Sequence, residues 1–81
     1  MGTSWIYEYK NHTIVVKNAK ATELYVDNEL QDRKTGLTLK ADLNGKLASG
    51  EVIKVSLGGF IDVECNLFID NVLQTPIRTE N

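Results

Sequence analysis

One cysteine, one histidine, one proline and one tryptophan are all that 81 residues contain of those types. A single cysteine closes no disulfide within the chain, and one Cys with one His falls short of a zinc ligand set. No basic excess exists either: 9 Lys and Arg stand against 11 Asp and Glu, for a net charge of −2 and a pI near 5.2. That balance argues against nucleic-acid binding, which draws on clustered cations. No apolar run approaches the roughly 18 residues of a membrane span. Met1-Gly2-Thr3-Ser4 lacks a basic segment followed by an apolar one, so it does not read as a signal peptide. Residues 1–4 read instead as an expression scar or a disordered lead. The unpaired Cys65 and the missing signal favour a cytoplasmic location.

Hydrophobic residues at 42% and charged residues at 25% describe one ordinary globular domain, spanning residues 5–76, with a frayed tail over 77–81. Val, Ile and Thr account for 20 residues, a composition suited to pleated surfaces. Alternation and turn residues recur throughout, and no helix-period stripe competes with them. Strands are predicted over 5–10, 13–18, 23–26, 29–34, 37–43, 51–57, 60–69 and 72–75. The turns between them fall at Asn11-His12, Asp27-Asn28, Asn44-Gly45, Gly58-Gly59 and Asp70-Asn71, residues that tolerate positive φ. About eight short strands with tight turns predict an all-β fold, an antiparallel β-sandwich with a small barrel as the alternative.

The chain also repeats itself. Leu24-Tyr25-Val26-Asp27-Asn28-Glu29-Leu30-Gln31 matches Leu67-Phe68-Ile69-Asp70-Asn71-Val72-Leu73-Gln74 at an offset of 43, with five of eight positions identical. Two related hairpins, each turning on Asp-Asn, give a pseudo-twofold plan; good hairpin grammar arising twice gives the same match without one. In the predicted strand 60–69, Ile61, Val63, Cys65, Leu67 and Ile69 share one face, and Asp62, Glu64, Asn66 and Phe68 share the other with Asp70. Matching the apolar face of Ile53, Val55 and Leu57 to it requires an odd-length connection. A three-residue or bulged connection is therefore predicted; as a three-residue loop, Gly58-Gly59-Phe60 pairs Leu57 with Ile61 and sets Lys54 opposite Glu64.

Trp5 near the start, Leu24-Tyr25-Val26-Asp27-Asn28-Glu29, and Gly58-Gly59-Phe60 followed by an alternating strand and another Asp-Asn hairpin carry a resemblance. Over residues 5 to 74 the chain resembles the Fas apoptotic inhibitory molecule family. It departs from that pattern in having Asp-Asn where the family more often has Asp-Gly or Asn-Gly, and in lacking a second aromatic strand. The resemblance implies an eight-stranded antiparallel sandwich with no catalytic centre and a binding or protein-protecting role.

Catalytic chemistry finds little to work with. Cys65 lies on the predicted core face and His12 in a turn, so a Cys–His dyad is not expected. Asp62, Glu64 and Asp70 form a secondary candidate, an acidic face. Carboxylates two apart on a strand stand about 7 Å from each other, too far to share Ca²⁺ without a covering loop, so a solvated face is the plainer reading. The first candidate is Trp5, Tyr7 and Tyr9, which alternate on one face of the first strand. Facing out, they form a platform for a protein partner or a sugar ring; facing in, they close the core. Ile6, Glu8 and Lys10 make a poor core on the opposite face, which favours the inward arrangement. A first strand is also often an edge open to strand pairing, with Lys10 and Lys17 as protective charges. The function expected is a non-enzymatic interaction module without cofactor or metal, binding a protein or itself through a sheet face or edge. A carbohydrate-binding or cell-surface module excised from a larger protein is the alternative.

Overall fold

The computed structural model describes residues 2–35, 40–59 and 62–81. Nine strands build it: β1 (Thr3–Tyr9), β2 (His12–Asn18), β3 (Ala21–Val26), β4 (Glu29–Thr35), β5 (Lys40–Lys46), β6 (Val52–Gly58), β7 (Glu64–Ile69), β8 (Val72–Gln74) and β9 (Arg78–Glu80). They form two antiparallel sheets, β4-β3-β2-β1-β9 and β5-β6-β7-β8, packed as a β-sandwich with no helix among the described residues. Each sheet is an up-and-down meander of four strands, with β9 added to the first.

The two copies of the repeated segment occupy equivalent places, β3–β4 and β7–β8. Asp27 and Asn28 have φ of 49° and 68°, and Asp70 and Asn71 have 47° and 66°, the positive pair of a two-residue hairpin turn. Both aspartates do the same second job. Asp27 Oδ1 accepts the Thr13 N–H at 2.9 Å while its own N–H donates to Thr13 O. Asp70 Oδ1 accepts the Val52 N–H at 2.9 Å, and its N–H donates to Val52 O. Each turn carboxylate therefore pins its hairpin to the start of the neighbouring strand, β2 or β6. A third such turn, Lys10-Asn11, joins β1 to β2, one residue earlier than Asn11-His12, and His12 pairs with Tyr9.

The core lies between the sheets. Trp5 and Tyr7, Ile14 and Val16, and Leu24 and Val26 come from the first sheet; Leu43, Ile53, Val55, Leu57, Leu67 and Ile69 come from the second. Alternate residues point inward along each strand, as β6 shows with Ile53, Val55 and Leu57 buried and Val52, Lys54 and Ser56 exposed. Leu24, Ile53 and Leu67 are wholly buried, each worth roughly 1.5–3 kcal/mol of apolar transfer.

Several local expectations are corrected. Asn44-Gly45 is not a turn: both residues sit within β5, opposite Lys54 and Ile53. The reversal lies at 47–51, where Gly50 has φ 104° and the Leu47 N–H donates to Glu51 O. Gly45 is needed for another reason, since a Cβ there would stand 2.9 Å from Leu24 Cδ2. Its bare backbone lets β5 lie over β3 and β4. Facing it, Gln31 is the extra residue of a bulge, for Leu24 pairs with Asp32 and Tyr25 with Leu30.

The strand expected over 60–69 begins only at Glu64. Leu57 pairs with Cys65 rather than Ile61, and Lys54 stands opposite Phe68 rather than Glu64, whose partner is Gly58. The odd parity of the connection holds, but a longer loop replaces the three-residue one; Phe60 and Ile61 lie outside the described residues, as do Leu37 and Leu39. Nor is the C-terminal tail frayed. The Ile77 N–H donates to Ile6 O at 2.7 Å, and Arg78–Glu80 pairs with β1. That pairing makes β1 an interior strand, so neither Lys10 nor Lys17 guards a β1 edge.

Candidate functional site

The outward faces of the two sheets differ in how their polar groups are employed. On the five-stranded sheet, Arg33 Nε pairs with Glu23 Oε2 at 3.3 Å, and Lys17 Nζ sits 4.9 Å from the Tyr25 ring centre. Ile6, Val15, Tyr25 and Leu30 form one row across that sheet, and Ile6 is buried although it faces outward. The four-stranded sheet sets Asn44, Lys54, Phe68 and Leu73 in one row, with Asp42, Ser56 and Asn66 in the next. Among the described residues, the side chains of Asp42, Asn44, Lys54, Ser56 and Asn66 make no hydrogen bond or ion pair. Two hollows adjoin on this face. One, of about 390 Å³, is lined by Asp42, Asn44, Lys54, Ser56 and Phe68 with the backbone of Leu43 and Val55 beneath. The other, of about 320 Å³, is lined by Val52, Lys54, Asp70 and Asn71, so Lys54 belongs to both.

The sandwich margins differ as sharply. At the β4/β5 margin, Asp32 Oδ1 accepts the Arg33 N–H at 2.8 Å, and its Oδ2 accepts the Asn44 N–H at 2.8 Å. Gln31 Oε1 accepts the Lys46 N–H at 3.3 Å. One carboxylate thus caps a backbone donor on each of two facing strands, a strong protection against strand addition. At the opposite margin, β9 carries an Arg78–Glu80 pair at 2.7 Å. Among the described residues β8 carries no such guard: Val72, Leu73 and the nearby Ile77 are 61%, 58% and 52% exposed. The alternation of an antiparallel ladder turns the Leu73 N–H and C=O away from β7. The one side-chain hydrogen bond described on β8, from Gln74 Nε2 to Val72 O, stays within the strand.

The residues singled out in the sequence take mostly structural places. Trp5 and Tyr7 are in the core and Tyr9 packs against it, so the aromatic face of β1 points inward and offers no open platform. The Tyr7 hydroxyl donates to Cys65 Sγ at 3.4 Å. Burial pushes the Tyr7 phenol far up, and the contact with Cys65 adds to it. Burial also raises the Cys65 thiol, which keeps it protonated and a poor nucleophile. His12 is nowhere near it in the hydrogen-bond network; its Nδ1 lies 2.7 Å from Asp27 Oδ2. That contact, together with the Thr13 N–H, holds the Asp27 carboxyl below the usual carboxylate range.

The acidic ladder does not form. Asp62 precedes β7, Glu64 is its first residue, and Asp70 lies in the turn after β7, where its Oδ1 accepts the Val52 N–H. No group of three or more His, Cys, Asp or Glu among the described residues could hold a metal ion. Glu51 was not singled out by the sequence. Ser49 Oγ donates to its Oε1, while Oε2 is buried without a hydrogen bond, 3.5 Å from Lys10 Nζ. The Ser49 hydrogen bond, ahead of the Lys10 charge, holds the Glu51 carboxyl below the usual carboxylate range, and the Lys10–Glu51 pair ties the β1–β2 turn to the loop between β5 and β6. No family model, curated protein or solved structure matches the chain.

Proposed function

We propose that the protein is a non-enzymatic interaction module that binds a protein, a second copy of itself included, through the β8 edge. The observation that carries this reading is the contrast between margins. Asp32 and Gln31 occupy backbone donors at one side, whereas Val72, Leu73 and Ile77 stand exposed beside an unguarded strand at the other. An apolar edge of this kind is what strand addition uses, with main-chain hydrogen bonds for affinity and alternate side chains for selectivity. The protonated, partly buried Cys65 and the use of His12 and Asp27 in a turn support binding over catalysis. The resemblance to the Fas apoptotic inhibitory molecule family points the same way.

Self-pairing is the first case to measure. In amide-resolved NMR over a wide dilution series, the Val72, Leu73 and Gln74 amides should move with concentration. Leu73→Lys, which places a charge on the edge without touching the core, should abolish the movement. Concentration-dependent shifts elsewhere, untouched by Leu73→Lys, would count against the β8 edge.

A further inference from the structure

We infer that the outer face of the four-stranded sheet is a binding groove for a neutral oligosaccharide, a site independent of what covers β8. Phe68 is half-buried and opposite Lys54, with Asn44 beyond it in the same row. A half-buried ring on a solvent face presents its π-surface to the apolar face of a pyranose, whose axial C–H groups match the ring's negative face. Around it stand the groups that sugar hydroxyls require. Asp42 accepts, Lys54 donates, and Asn44, Ser56 and Asn66 do both. None of these five side chains is committed to another partner, so a ligand would meet them without breaking a protein hydrogen bond. The outer face of the other sheet, by contrast, spends Glu23 on Arg33 and Lys17 on Tyr25.

Spacing and charge narrow the ligand. Paired residues on neighbouring strands lie about 5 Å apart and the two rows about 7 Å apart, so hydroxyls on both sides of one ring can be reached at once. The hollows of about 390 and 320 Å³ adjoin through Lys54, which makes an elongated groove rather than a single cup. That shape suits two or more linked rings, with Asp70 and Asn71 at the far subsite. Asp70 keeps Oδ2 for it, since only Oδ1 is bonded to Val52. By the strand registers this face carries Lys40, Lys46 and Lys54 against Asp42 and Glu64, with Asp70 in the adjoining turn, so there is no cationic excess, which disfavours phosphate or a polyanionic glycan and favours neutral sugars.

The test is an amide-resolved NMR titration of the whole chain with cellohexaose, xylohexaose, mannohexaose and chitohexaose, and separately with inorganic phosphate. At least one of the oligosaccharides should give saturable shifts confined to residues 42–44, 54–56 and 66–71. Phe68→Ala and Asp42→Ala should each weaken that binding at least tenfold. Asp42 is exposed and unpaired, so its variant keeps the test valid even if Phe68→Ala impairs folding. Ile77→Lys, at the exposed apolar margin beside β8 and outside both hollows, should leave sugar binding unchanged, which separates this groove from the β8 edge. No saturable shift with any of the four sugars, shifts outside the groove, or groove shifts indifferent to Asp42→Ala would each overturn the inference. Stronger shifts with phosphate than with every sugar would do so as well.

Discussion

Gly45→Ala is a small change with a large expected consequence. The new Cβ would stand 2.9 Å from Leu24 Cδ2 and 3.4 Å from Gln31 Cβ. Carbon atoms in comfortable contact are about 3.5–4.0 Å apart, so the leucine methyl must retreat by more than half an ångström. Leu24 is wholly buried, and a packed core offers that methyl nowhere to go. Overpacking of this kind costs about 1–3 kcal/mol. Replacing a strand glycine by alanine returns about 0.5–1 kcal/mol of chain entropy. Taken at mid-range, the net is a destabilisation of about 1 kcal/mol, which lowers Tm by roughly 4–8 °C in a domain of this size. Urea unfolding followed by the fluorescence of buried Trp5 should show a lower midpoint at an unchanged m-value. Leu24→Ala alone should cost about 2–5 kcal/mol. Combined with Gly45→Ala it should cost less than the sum, by about 1 kcal/mol, because the added methyl occupies part of the vacated space. Gly45→Ala as stable as the parent, or strict additivity with Leu24→Ala, would refute the close crossing of β5 over β3.

Two further outcomes follow from the hydrogen bonds. Asp32→Ala should speed hydrogen exchange at the Arg33 and Asn44 amides together, while the Val52 amide, held by Asp70, keeps its rate; exchange unchanged at Asn44 would contradict the bridge. Stability should also fall on the alkaline side. Cys65 and Tyr7 both have raised values in the fold, so their contribution is complete below the unfolded values of about 8.5 and 10 and is lost as pH climbs beyond them. Tyr7→Phe should flatten the steeper part of that decline above about pH 10, measured by denaturant midpoint against pH.

Much of the fold was legible because its signals are local. Asp27-Asn28 and Asp70-Asn71 specify two-residue turns by their own φ preferences, and the alternation of Ile53, Val55 and Leu57 specifies an inward face without reference to any partner. The errors arose where a distant neighbour decides. Asn44-Gly45 has the chemistry of a turn, yet its glycine answers to Leu24, twenty-one positions back. The tail became β9 because β1 offered it an edge, which nothing in residues 77–81 announces. The candidate groove was the least legible. Asp42, Lys54 and Phe68 come from three strands, and their meeting depends on registers that the assumed short loop after Gly58 set wrongly. The inward turn of Trp5, Tyr7 and Tyr9 was readable from the poor core that Ile6, Glu8 and Lys10 would make.

The place of Asn44 also bears on the chemical ageing of the chain. Asn-Gly is the dipeptide most prone to lose its side-chain amide, through attack of the glycine nitrogen on the asparagine side-chain carbonyl. That attack needs a folded-back backbone at Asn44. Here both residues are held extended by pairing with Lys54 and Ile53, and the Asn44 N–H is held by Asp32. Deamidation must therefore wait for β5 to come away from its neighbours. The slow gain of negative charge at this one position becomes a clock for the opening of that strand, readable by mass spectrometry in a protein that otherwise looks unchanged.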